Sequence, residues 1–183
     1  EKMELPAFVS LSFDPEGIAP KQRGNISVTF DPTKNVELGF QSNSIKIVTS
    51  DSETSKSFTV LATVEEYFAP LSEKDLAKAP KLSFDKTSHN FGKLQKDAKV
   101  STEFILTNTG KSKLNLRKIS TNCPCTITEI DKMDLKPGEK TTMNVVFDLA
   151  KRRGRQYKSI TVFSNDPTAP TQIVNIRAEV PRS

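Results

Sequence analysis

Two cysteines separated by one residue, Cys123-Pro124-Cys125, and a lone histidine, His89, are the most chemically versatile side chains of this 183-residue sequence. In an extended segment residues i and i+2 face the same way, so the two sulfurs can meet. The Cα separation of about 6–7 Å for two extended residues lies at the upper edge of disulfide geometry. A bridge made there is strained, and strained bridges are the easier ones to reduce, which is the chemistry of thiol exchange. The same thiols could supply part of a soft-metal site with His89 as a third ligand. Structural zinc usually takes four ligands, however, and these three residues are the whole stock of Cys and His. The first reading of Cys123 and Cys125 is therefore a structural pair, small and mostly buried at a strand start, with no metal and no cofactor. Thiol-redox or soft-metal handling is the alternative. His89 has no carboxylate or serine partner at a recognisable spacing, so it is expected to hydrogen-bond to a loop rather than to act as an acid or base.

The remaining composition argues against other chemistry. Glycine-rich phosphate loops are absent, and Glu65, Glu66, Glu73, Asp75, Asp131 and Asp134 do not form a calcium loop. Tryptophan is missing and tyrosine occurs twice, which removes the usual flat platforms for sugars and leaves carbohydrate adhesion as a third, weaker reading. The net charge of +5 is spread along the chain except at Lys151-Arg152-Arg153-Gly154-Arg155, which has no interleaved aromatics for stacking on bases. That run is expected to be an exposed loop joining two strands, with no nucleic-acid groove around it. No apolar run approaches the ~20 residues of a transmembrane helix, and no basic segment followed by an apolar one opens the chain, as in a mature or trimmed protein. The expectation is a protein that is not an enzyme.

The elements that must position these residues are strands. Apolar residues recur with period two at Val100, Thr102, Phe104 and Leu106, at Met143, Val145 and Phe147, at Ile160 and Val162, and at Ile176, Ala178 and Val180. Asn108-Thr109-Gly110 and Lys136-Pro137-Gly138-Glu139 are turn sequences between them. The expected core is Phe91, Phe104, Leu106, Leu116, Val145, Phe147, Ile160, Val162 and Ile176. The pattern is also duplicated. Ile18-Ala19-Pro20 through Ile26–Asp31 matches Leu135-Lys136-Pro137 through Met143–Asp148 without a gap. Gly39 then falls on Gly154, 44–47 on 159–162, Asp51 on Asp166, and Val60, Ala62 and Val64 on Ile176, Ala178 and Val180. Between the copies Ser72 can cap a short helix at Glu73–Lys78, with Leu71 facing Leu76 as a hydrophobic staple.

The string Ser88-His89-Asn90-Phe91-Gly92-Lys93-Leu94, followed by Phe104 to Gly110, Cys123-Pro124-Cys125-Thr126 and Pro137-Gly138-Glu139, resembles the bacterial Hydin-like family of immunoglobulin-like domains, a family of unknown function related to ASH domains. The likeness covers residues 81–180, and its motif residues here are His89, Phe91, Gly92, Asn108, Gly110, Pro137 and Gly138 together with the cysteines. Pro124 departs from the pattern, because glycine commonly separates the two cysteines. The resemblance implies an all-β chain of two immunoglobulin-like antiparallel sandwich units. A partial unit at 1–66 corresponds to the later half of the repeat and looks N-terminally truncated; a linker follows at 67–80, and a complete domain at 81–183. It also implies export to the bacterial envelope, periplasmic or at the cell surface, as a processed lipoprotein in many relatives, and no reaction. The expected function is a non-catalytic module that contacts an unidentified protein or envelope partner. The apolar stripes of the first unit need a cover, expected from Ala7–Phe13 folding back with the linker or from a second copy in a homo-oligomer.

Overall fold

The structure is a computed structural model that describes residues 5–19, 21–34, 37–48 and 55–182. Pro20 and Asp51, which the repeat sets against Pro137 and Asp166, lie outside the described residues. The chain divides between Val64 and Glu65 into two compact units.

The first unit holds β1 (Val9–Asp14), β2 (Asn25–Phe30), β3 (Gly39–Ile47) and β4 (Lys56–Val64), paired antiparallel as β1–β2 and β3–β4. The second unit opens with α1 (Glu73–Leu76) and continues with β5 (Leu82–Phe84), β6 (Ser88–Lys93), β7 (Lys99–Asn108), β8 (Leu114–Thr121), β9 (Thr126–Ile130), β10 (Asp134–Leu135), β11 (Lys140–Asp148), β12 (Gly154–Ser164) and β13 (Thr171–Val180). Its two sheets run β10-β8-β12-β13-β6 and β5-β7-β11-β9. Every pairing is antiparallel except β13 with β6. The period-two stripes face inward: Phe104, Leu106, Leu116, Met143, Val145, Phe147, Ile160, Val162 and Ile176 form one buried cluster with Leu82, Leu114, Leu135 and Leu149. Inward apolar and outward polar residues alternate along β7 and β11, the burial pattern of two sheets packed face to face.

Some expectations need correction. Phe91 is half-buried against the core rather than inside it, because β6 is an edge strand with a neighbour on one side only. The helix ends at Leu76 rather than Lys78, since Lys78 and Ala79 already bond back three residues, to Asp75 and Leu76. Ser72 caps it as expected, accepting from the Asp75 N–H at 3.2 Å and donating to the Asp75 carboxylate at 2.6 Å. Leu71 and Leu76 stay 42% and 40% exposed, so no buried staple forms. Residues 67–80, expected as a linker, group with the second unit, as do Glu65 and Glu66. There Glu66 pairs with Arg117 at 2.9 Å and the Ala79 carbonyl accepts from Lys111 N–H at 3.1 Å.

The duplication extends to strand register. Val9 pairs with Phe30 and Phe13 with Ile26 in β1–β2, as Thr126 pairs with Phe147 and Ile130 with Met143 in β9–β11. β1 is thus the counterpart of β9, at the same gap-free alignment that joins β2 to β11. Gly39 opposes Val64 as Gly154 opposes Val180, and both glycines take positive φ. Lys21 (φ 67°) stands where Gly138 (φ 77°) stands, each ending a turn closed by an N–H to carbonyl bond, Gln22 to Ala19 and Glu139 to Lys136. Among the described residues the first unit has no counterpart of β5–β8. β11, β12 and β13 are flanked by β7, β8 and β6, whereas β2, β3 and β4 each have one open side. Ile26 and Val28 are accordingly 46% and 38% exposed, and Phe30, Ile47, Phe58, Val60 and Ala62 are half-buried. Of the expected covers, the fold-back of Ala7–Phe13 is present as β1, which pairs along one edge of β2, and among the described residues no strand pairs along the other.

Candidate functional site

Four of the motif residues converge on one clamp. Asn108 ends β7 wholly buried. Its amide nitrogen donates to the carbonyls of Ser112 (2.8 Å) and Leu135 (3.0 Å), and its amide oxygen accepts from Gly110 N–H (3.0 Å) and Lys81 N–H (3.4 Å). Its backbone joins the Pro137-Gly138 turn, with Asn108 N–H to the Glu139 carbonyl at 3.0 Å and Gly138 N–H to the Asn108 carbonyl at 2.8 Å. Gly110 is required by contact: a Cβ there would lie 2.3 Å from the Ala79 carbonyl oxygen and 2.5 Å from Lys81 N. Glu139 receives Lys132 Nζ at 2.6 Å and Lys136 N–H at 2.9 Å, which together hold its carboxyl below the usual range. A buried amide with all its hydrogen-bonding groups engaged stabilises a unique chain path and has no group left for a ligand.

His89, Phe91 and Gly92 lie on the β6 edge. The His89 ring stands edge-on to Phe91 at 4.5 Å, and Phe91 is 6.4 Å from Phe147 in the core. Partial burial, and then the charge of Lys86, push the His89 pKa down. The imidazole is thus anchored by an aromatic ring, which replaces the loop contact expected from sequence. Gly92 takes φ 71° while its N–H bonds to Asn90 Oδ1 at 3.0 Å; a Cβ would meet nothing, so the backbone conformation alone selects glycine.

Cys123 and Cys125 are disulfide-bonded, with Cα atoms 5.2 Å apart. The expectation of an extended strand start is corrected: the pair sits in a turn between β8 and β9, closed by Thr126 N–H to the Cys123 carbonyl at 3.1 Å, so the extended-chain separation does not apply. Cys123 is buried, Pro124 exposed, and Cys125 half-buried against the core. Cys123 Sγ accepts from Cys125 N–H at 3.2 Å and lies 3.6 Å from Arg152 Nη2. His89 is not brought to the pair, standing instead on β6, the edge strand separated from β8 by β12 and β13. No group of three or more His, Cys, Asp or Glu positioned for a metal occurs among the described residues.

Sequence reasoning missed Arg152, taken there for part of a solvated run. The loop between β11 and β12 ends at Arg153, and Gly154 and Arg155 already belong to β12. Asp97 holds it, accepting from Lys151 N–H at 2.7 Å and lying 3.3 Å from Arg153 Nη1, contacts that lower the Asp97 pKa in that order. Asp166 was missed as well. It is buried and accepts from Leu82 N–H (2.9 Å), Thr168 N–H (2.9 Å), Thr168 Oγ1 (2.7 Å) and Ala169 N–H (3.3 Å), tying β5 to the β12–β13 turn. The turn sequence Asn165-Asp166-Pro167-Thr168 was the available signal.

Residues 82–180 match the family described as protein of unknown function, DUF1573. The chain belongs to this family. Asn108 and its turns, the β6 edge and the disulfide turn fall inside the DUF1573 span, with Ala79 and Lys81 of the clamp just before it, and the first unit precedes it. A protein of unknown function from Porphyromonas gingivalis W83 is similar over 96% of this chain and 81% of its own, at 22% identity and a TM-score of 0.70, which shows a shared fold. The ASH / PapD-like domain 7 of human CEP192 is similar over 67% of this chain and 98% of that domain, at 12% identity and a TM-score of 0.46. No curated protein matches. Among the described residues of this DUF1573 chain, no helix is long and apolar enough to cross a membrane.

Proposed function

We propose that this chain is a non-catalytic, Hydin-like and ASH-related immunoglobulin-like module of an exported bacterial envelope protein, and that it acts in protein–protein interaction by accepting strands at the open side of its first unit. One observation carries the reading: among the described residues β2 pairs with β1 on one side and with no strand on the side where its counterpart β11 holds β7. An unpaired edge offers free N–H and C=O groups to an incoming strand, and the exposed Ile26 and Val28 offer side-chain burial beside them. Covering a large apolar side chain is worth about 1.5–3 kcal/mol. The Cys123–Cys125 bond supports placement in the envelope, because disulfides persist in oxidising compartments.

The second unit supplies a probe for the test. A synthetic peptide of the β7 sequence Lys99–Asn108 should dock on β2 antiparallel, with its Val100 opposite Phe30 and its Phe104 opposite Ile26, the register that β7 keeps with Phe147 and Met143. Hydrogen exchange should then slow across Asn25–Phe30, and a scrambled peptide should leave it unchanged. Sedimentation over a range of chain concentrations, run alongside, separates pairing with another polypeptide from self-pairing in a homo-oligomer. No protection of β2 at millimolar peptide, in a chain that stays monomeric, would refute strand acceptance at this edge.

A further inference from the structure

The disulfide turn is built asymmetrically. Cys123 is buried and its Sγ faces two donors, the Cys125 N–H at 3.2 Å and the Arg152 guanidinium at 3.6 Å. Cys125 is the more accessible residue of the pair, in a turn whose central residue, Pro124, is exposed. Thiol–disulfide exchange proceeds by thiolate attack on one sulfur while the other leaves with the electron pair, and the rate rises with the stability of the leaving thiolate. A cationic neighbour and a backbone N–H provide that stability at Cys123, whereas the contact of the Cys125 sulfur is the Thr126 hydroxyl at 4.0 Å. Arg152 is itself held in place: its N–H bonds to the Leu149 carbonyl at 2.9 Å, while Asp97 takes the N–H of Lys151 and the guanidinium of Arg153, leaving the Arg152 side chain to reach Cys123.

We propose that Cys123–Cys125 is an exchange-competent disulfide that accepts two electrons from a dithiol, with Cys125 as the sulfur attacked, Cys123 as the leaving sulfur and Arg152 as the residue that stabilises the leaving charge. One substrate thiol gives its proton to solvent, and the thiolate attacks Cys125 Sγ. The Cys123–Cys125 bond breaks, and its electron pair goes to Cys123 Sγ, which becomes a thiolate facing Arg152. The second substrate thiolate attacks the substrate sulfur of the mixed disulfide and releases Cys125 as a thiolate. Protonation of both cysteines completes a balanced transfer: the dithiol becomes a disulfide, and Cys123 and Cys125 become thiols. The donor is identified only by class, as a dithiol that can reach an exposed turn. This inference is independent of strand acceptance by the first unit.

The test uses the oxidised chain and two probes, dithiothreitol as the dithiol and glutathione as a monothiol whose mixed disulfide is trapped by an early quench. Reaction is quenched with acid, free thiols are alkylated, and the adducts are located by peptide mass spectrometry. The expected results are reduction without denaturant, glutathione on Cys125 rather than Cys123, and reduction about tenfold slower in Arg152→Met, with Arg152→Lys recovering much of the rate. Arg155→Met, which removes a charge of the same basic run from an exposed position on β12, controls for net charge and should react as the parent does. Far-UV circular dichroism confirms that each variant is folded. Glutathione on Cys123, an Arg152→Met rate within twofold of the parent, or reduction only at denaturant concentrations that unfold the second unit would each overturn the proposal, the last in favour of a purely structural bridge.

Discussion

Replacing Asn108 with alanine removes four hydrogen bonds at once, and their surroundings set the cost. The Leu135 carbonyl is buried and loses its amide donor, so it bears the penalty of about 1–3 kcal/mol for a stranded polar group. The Ser112 carbonyl and the N–H groups of Gly110 and Lys81 are only part-buried and can be rehydrated, so each loses about 0.5–1 kcal/mol. The expected sum is about 2.5–6 kcal/mol, a large share of the roughly 5–15 kcal/mol that a domain possesses. Asn108→Asp is the sharper probe. It places a carboxylate against two carbonyl oxygens in a buried site, so it should destabilise more than alanine at neutral pH and recover as pH falls, because the protonated acid can again donate. Urea denaturation followed by circular dichroism gives the total loss, and peptide-resolved hydrogen exchange assigns it to residues 65–183. An Asn108→Ala loss below about 1 kcal/mol, or an aspartate variant that tracks alanine at every pH, would refute the clamp as the reason for this motif.

Gly110→Ala should destabilise the second unit by about 2–4 kcal/mol, since its Cβ would meet backbone atoms of residues 79–81 that cannot rotate away. Gly92→Ala should cost only about 1–2 kcal/mol, from the positive φ alone, so a reversed order in urea denaturation would contradict the two glycine assignments. His89 has a folded pKa below its ordinary 6.5, so the unfolded chain takes up its proton first; stability should decline as pH falls from about 6.5 toward the folded value, and His89→Gln should flatten that part of the pH–stability curve.

Strand identity, turn chemistry and duplication were legible in the residues because each is local. A period of two needs only neighbouring residues to set one face of a pleat, and it correctly placed Phe104, Leu106, Val145, Phe147, Ile160 and Ile176 inside. Pro137 and Gly138 select their own dihedral angles, and Ser72 reaches no farther than Asp75. The repeat set β2, β3 and β4 against β11, β12 and β13, and Gly39 and Gly154, which it aligned, both take positive φ.

What the residues did not reveal depends on which strands become neighbours. Arg152 meets Cys123 across 29 positions because the loop after β11 returns beside the turn that follows β8, and no periodicity encodes that meeting. Asp166 binds Leu82 N–H across 84 positions, and Asn108 gathers Lys81, Ser112 and Leu135 for the same reason. Phe91 has the apolar character of a core residue, yet its depth was decided by the edge position of β6 in the sheet order. The Cys123 sulfur likewise owes its cationic neighbour to the return path of the chain. Side-chain pattern specifies which face of an element seeks burial, whereas long-range strand order, chosen by the joint packing of both sheets, decides what each polar group on that face will meet.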